Sequence, residues 1–172
     1  MNILFLGAPG SGKSTQGQIL AKDKGMEWVS SGEMFRESQD PEVIEILKTA
    51  QLVPDEITNE MMLGKIKELG GDGIVLDGYP RRLSQAEFLA ESGFELDLIV
   101  EIKLELGEII NRAVSRGREQ DTPEIIRERV DIYEKSRDEI VEFFTDRGVR
   151  FVTVDGSGSI VDTAELVKEA VL

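Results

Sequence analysis

The chain has 172 residues, 34 acidic and 20 basic, for a net charge of −14, and 40% of its residues are hydrophobic. That length suits one domain with a packed core, and so acidic a surface repels nucleic acid and anionic membrane, so neither is expected as a partner. Cysteine and histidine are absent, which excludes disulfides, Cys/His zinc sites, thiol nucleophiles and imidazole acid–base chemistry.

In chain order, the short apolar run 2–6 reads as a first strand. No basic segment precedes it and no stretch has the length of a membrane span, so a cytoplasmic protein is expected. Gly7-Ala8-Pro9-Gly10-Ser11-Gly12-Lys13-Ser14-Thr15 follows directly and fits Gly-x4-Gly-Lys-Ser/Thr without a mismatch. Its context is the one that motif requires, a buried strand before it and a helix-forming segment, 13–22, after it. Glycines let the backbone curl so that successive N–H groups face phosphate oxygens, and the helix adds the positive end of its dipole. Lys13 is placed to reach the β- and γ-phosphates and the Ser14 hydroxyl to ligate Mg²⁺.

Further strands are predicted at 26–29, 73–77, 96–102 and 150–154, rich in Ile, Val and Leu as strands covered on both faces are. Helices are predicted at 32–39, 41–49, 55–69, 82–91, 107–115, 123–146 and 160–171. The longest repeats Ile126, Val130, Tyr133, Ile140 and Phe144 at helical spacing and starts after Thr122 with Pro123. Ser30 and Glu33 have capping-box spacing, so Ser30 or Ser31 is a candidate helix cap. This alternation argues for an α/β fold of the P-loop NTPase type. Five parallel strands are flanked by helices, with right-handed crossovers and the ligand at the carboxyl ends of the strands.

Four more stretches narrow the reading. Ser30-Ser31-Gly32-Glu33-Met34-Phe35-Arg36 follows the second strand, and Leu52-Val53-Pro54-Asp55 precedes a helix. Asp77-Gly78-Tyr79-Pro80-Arg81 ends the third strand with Gln85 beyond it, and Arg112, Arg116, Arg118 and Arg129 come last. Together with Gly7 to Gln16 they resemble the adenylate kinase family over nearly the whole chain and in the right order. The resemblance implies a single kinase domain, 1–172, with a nucleoside-monophosphate-binding insertion at about 30–69. It implies Mg²⁺-dependent transfer of the γ-phosphoryl of ATP to AMP, giving two ADP, with a monomer favoured over a homo-oligomer.

Carried over residue by residue, it assigns Gly10, Ser11, Gly12, Lys13, Ser14, Thr15, Arg112 and Gly158 to ATP, with Arg112 against its adenine. Ser31, Arg36, Val53, Gly78, Arg81 and Gln85 fall to AMP. Arg36 and Arg81 grip its phosphate, Val53 and Gly78 line the base pocket, and Gln85 reads the adenine edge. Lys13, Arg81, Arg116, Arg118 and Arg129 surround the transferring group, and Ser14 and Asp77 hold Mg²⁺, Asp77 through water. Residue chemistry agrees: a guanidinium grips phosphate with two parallel bonds, and a carboxamide offers a donor beside an acceptor. Arg82 reads instead as a solvated helix residue, and Arg127 and Arg137 as partners of nearby glutamates.

Two departures stand out. The family's lid lies between the equivalents of Arg116 and Arg118; here Gly117 alone separates them, leaving a vestige at about 116–121 and no zinc-binding form. Ser31 stands for threonine and Tyr79 for phenylalanine. The alternatives are a kinase for UMP, CMP or GMP, a small-metabolite kinase, or a nucleotide-binding switch without transferase activity.

Overall fold

The computed structural model describes residues 1–118 and 121–172. In chain order it contains β1 (Ile3–Leu6), α1 (Lys13–Lys24), β2 (Glu27–Ser30), α2 (Ser31–Glu37), α3 (Pro41–Leu47), α4 (Asp55–Glu68) and β3 (Ile74–Asp77). There follow α5 (Leu83–Glu91), β4 (Leu98–Lys103), α6 (Leu106–Ser115), α7 (Pro123–Thr145), β5 (Arg150–Asp155) and α8 (Ile160–Val171). Each predicted element is present, with bounds shifted by at most two residues.

All strand pairings are parallel, in the order β2-β3-β1-β4-β5. Alternate side chains feed two cores. Leu4, Leu76 and Ile99 pack with Met62, Leu89 and Ile140 of α4, α5 and α7. Ile3, Phe5, Val75 and Val100 pack with Leu20 of α1 and Val167 of α8 on the other face. A third, small cluster of Phe35, Val43 and Val53 gives the α2–α3 segment its own apolar centre.

Helix starts follow local chemistry. Ser30 caps α2, accepting from the Glu33 amide, and Thr122 caps α7, accepting from Ile125, with Pro123 in its first turn. Ser159 and Asp162 form a complete capping box on α8. Ser31 is not the cap.

One acidic side chain enters the core. Glu101, on the inner strand β4 between β1 and β5, is 2% exposed and faces α7. It accepts from the Tyr133 hydroxyl at 2.7 Å and from Arg137 Nε at 2.7 Å and Nη2 at 2.6 Å. Burial raises the Glu101 pKa, but the Arg137 and Tyr133 hydrogen bonds outweigh it and leave it below the ordinary carboxylate value. Arg137 is thus a glutamate partner as expected, through a partly buried pair that joins α7 to β4.

Strand order reverses at β1, whose neighbours β3 and β4 lead to opposite edges of the sheet. The loop after β1 therefore opens at a topological switch point, where such sheets bind ligands.

Candidate active site

At that point the chain from Gly7 to Gly12 turns sharply into α1. Gly10 has φ +91°, and a Cβ there would stand 2.7 Å from the Ile109 carbonyl oxygen; Gly12, the N-cap, has φ +95°. Only glycine meets both conditions without strain. The first turn of α1 holds no acidic residue, and its last turn holds Lys22 and Lys24, so charge placement leaves the N-terminal dipole free to face an anion.

A cavity of about 390 Å³ lies in front of this loop. Lys13, Ser14 and Thr15 line it from α1, and Arg36 from α2. Val53, Asp77, Gly78, Arg81 and Gln85 line it from the segment before α4 and the β3–α5 corner. Arg116, Arg118 and Arg129 close it from the ends of α6 and α7. Twelve of the predicted site residues thus come together from distant parts of the chain. Gly10, Ser11 and Gly12 form the loop behind the cavity and are not among its lining residues. Arg112 and Gly158 also stand outside that lining: Arg112 bonds Glu108 at 2.7 Å and the Gly156 carbonyl at 2.9 Å. Ser31 is buried, and its hydroxyl donates to the Gly78 carbonyl at 2.6 Å.

The cations converge. Arg81 Nε donates to the Gly78 carbonyl at 2.7 Å, which aims the guanidinium across β3. A point beside Gly32 lies 3.2 Å from Arg36 Nη1 and 4.0 Å from Arg81 Nη2. Two guanidiniums so close repel each other unless an anion sits between them. Burial, and then the charge of Arg118, pushes the Arg36 pKa down. Arg81 is likewise lowered by burial, against Asp77 and with Arg129 and Arg36.

Lys13 shows the same crowding. Burial lowers its pKa to about 8, Asp77 opposes this, and Arg81, Arg116 and Arg118 add to it. Protons are therefore bound by the unfolded chain and not by the folded one between about pH 8 and the ordinary lysine value, so this group adds stability as pH rises through that window. A phosphate held beside Lys13 would offset this crowding and favour the charged amine. Nucleotide binding at pH 8.5–9 is expected to take up close to one proton per chain and to weaken as pH climbs. Calorimetry in buffers of different ionisation enthalpy measures it, and Lys13→Met should abolish the uptake.

Two carboxylates organise the site, and neither was assigned a role from the sequence. Asp121 is 4% exposed and accepts from Arg116 Nη2 at 3.1 Å and Arg129 Nη1 at 3.0 Å. Arg129 Nη2 also donates to the carbonyls of Leu47, the last residue of α3, and Thr49 just beyond it. Asp55, at the start of α4, accepts from Arg82 Nη1 at 2.7 Å, Gln85 Nε2 at 2.8 Å and the Ser84 hydroxyl. Burial raises the Asp55 pKa, but those bonds from Ser84, Gln85 and Arg82 leave it below the ordinary value. Arg82 pairs with Asp55 while 40% of its side chain stays exposed, and it does not line the cavity, in keeping with a solvated residue and not a ligand. Asp121 precedes a helix cap and Asp55 opens a helix, positions where surface acids are common, so sequence carried no signal that Asp121 was buried or that Asp55 had these partners.

Residues 5–149 match the family model for adenylate kinase. The chain belongs to the adenylate kinase family. It is 35% identical to an adenylate kinase of Micrococcus luteus, covering 98% of this chain and 89% of that protein. It is 32% identical to one of Oenococcus oeni, with 99% and 97% covered, and 33% identical to one of Prochlorococcus marinus, with 98% and 95% covered. The Micrococcus alignment runs over 184 positions against 172 residues here, so the family member carries residues with no counterpart in this chain. Between α6 and α7, where family members carry their lid, Arg116 is followed by Gly117 at φ +67° and Arg118. Glu119 and Gln120, within the predicted vestige at 116–121, lie outside the described residues. No described helix is long and apolar enough to cross a membrane.

Proposed function

We propose that this chain moves the γ-phosphoryl group of ATP to AMP, reversibly giving two ADP, in the cytoplasm. The observation that carries this reading is a single cavity bearing six cations, Lys13, Arg36, Arg81, Arg116, Arg118 and Arg129, on a chain of net charge −14. One triphosphate needs fewer. Two nucleotides meeting end to end bring enough negative charge to account for all of them.

ATP phosphates would lie on the loop from Gly10 to Thr15, with Lys13 across the β- and γ-oxygens. The AMP phosphate would sit between Arg36 and Arg81, its base against Val53, Gly78 and Gln85. A phosphate monoester oxygen is already ionised at neutral pH, so its in-line attack on the γ-phosphorus needs no general base. The residues' work is alignment and charge stabilisation: Lys13, Arg81, Arg116, Arg118 and Arg129 hold the three equatorial oxygens while charge shifts to the leaving ADP. Asp77 Oδ1 is buried with no hydrogen-bond partner, close to Lys13, and Ser14 lines the same cavity. One carboxylate and one hydroxyl fit Mg²⁺, which takes its remaining ligands from phosphate and water. Bound there with ATP, the ion would supply charge neutralisation on the phosphate chain.

The insertion at about 30–69 would form the monophosphate site, and the reduced lid would leave the triphosphate less shielded from water. ADP alone should therefore be converted to ATP and AMP, and in a panel of monophosphates AMP should be the preferred acceptor. ATP without acceptor should be hydrolysed at a measurable rate. Absence of disproportionation overturns the reading; a negligible ATPase with tight ATP binding overturns only the part concerning the lid.

A further inference from the structure

Gln85 is 2% exposed, and both ends of its carboxamide are already engaged by the protein. Oε1 accepts from the Arg81 backbone N–H at 2.7 Å, and Nε2 donates to Asp55 Oδ1 at 2.8 Å. An ionised carboxylate can only accept and a backbone N–H can only donate. The two partners therefore specify one orientation of the amide: the flipped form would set N–H against N–H and oxygen against a carboxylate. What remains for a ligand is one lone pair on Oε1 and one N–H on Nε2, in fixed order.

We infer that Asp55 is a specificity-determining residue that locks Gln85 to read a 6-aminopurine and reject a 6-oxopurine. Adenine offers an amino donor beside a ring-nitrogen acceptor, which matches the locked amide. Hypoxanthine and guanine offer a carbonyl acceptor beside a ring N–H, which would require the flipped amide. Asp55 touches no nucleotide in this scheme and acts through Gln85, so it is a positioning residue. Ser84 holds its other oxygen, Arg82 adds a half-exposed ion pair to the first, and the position of Asp55 at the start of α4 ties the lock to the monophosphate-binding segment. The inference rests on the adenylate kinase reading of the cavity.

The test compares kcat/KM for AMP and for IMP in the wild type and in Asp55→Ala, Asp55→Asn and Arg82→Ala. In Asp55→Ala, AMP should lose about tenfold or more, chiefly through KM, while IMP changes little, so the AMP:IMP ratio collapses and the KM for ATP holds. Asn keeps an acceptor for Nε2, so Asp55→Asn should retain most of the ratio. Arg82→Ala loosens the same corner without touching the amide and should leave the ratio as it is. A ratio unmoved in Asp55→Ala, or moved equally in Arg82→Ala, overturns the inference while leaving the AMP site intact. A wild type that accepts IMP as readily as AMP overturns the assignment of Gln85 itself and the inference with it. Should Asp55→Ala not fold, nuclear magnetic resonance of the wild type decides. One Gln85 Nε2 proton should be shifted downfield in the free enzyme, and AMP should move the other. Two free-amide resonances would overturn the lock.

Discussion

Lys13→Met is expected to lower turnover by about a thousandfold, on the scale seen when one preorganised charge donor is removed from an acyl- or phosphoryl-transfer site. Stability should be unchanged or slightly higher. Lys13 lies among Arg81, Arg116 and Arg118, and burial has already weakened its hold on a proton, so removing it relieves a repulsion in the unliganded fold. Methionine keeps the bulk of the stem. Binding of ATP should weaken less than turnover falls, because the N–H groups of the Gly7–Ser14 loop and the α1 dipole remain. Steady-state rates beside a thermal melt separate the two effects, and near-normal turnover would remove Lys13 from the reaction.

Asp121→Ala is expected to damage both stability and rate. Its carboxylate is almost fully buried and bridges Arg116 and Arg129, which are themselves partly open to the cavity. Deleting it leaves two guanidiniums facing each other without a counter-ion. A fully buried pair broken this way costs several kcal/mol, and access to water through the cavity reduces that to about 1–3 kcal/mol. Turnover should fall by about a hundredfold, because both arginines lose the bond that fixes their direction. ATP should restore part of the lost thermal stability, since phosphate replaces the missing carboxylate between the two arginines. A variant as active and as stable as the parent would show that Arg116 and Arg129 are held by other contacts.

The fold was legible almost throughout, for reasons visible at particular residues. Ile3 to Leu6, Ile74 to Leu76 and Leu98 to Val100 are apolar on consecutive positions, which only strands covered on both faces can bury. Thr122-Pro123 marked a helix start that the structure places at those residues. The cavity's cations were legible because each sits in a motif of fixed spacing.

Pairing was not legible. Asp121 and Arg129 are eight residues apart across a helix start, and Asp55 meets Gln85 across thirty residues. Neither distance in sequence carries a period or a motif that predicts contact. Burial of an acidic side chain is equally silent, since Glu101 interrupts an apolar strand at a position where alternation would also permit an exposed face. The pairing of Arg82 with Asp55 was hidden for the same reason, its partner lying on another helix.

Titration with a dinucleoside pentaphosphate, two adenosines joined by five phosphates, measures most directly whether both nucleotides meet in the one cavity. One molecule should bind per chain, compete with both ATP and AMP, and lose most of its affinity in Lys13→Met and in Arg81→Ala alike. Two molecules per chain, or competition with only one of the nucleotides, would mean that the six cations serve separate sites and that no phosphoryl group passes between them.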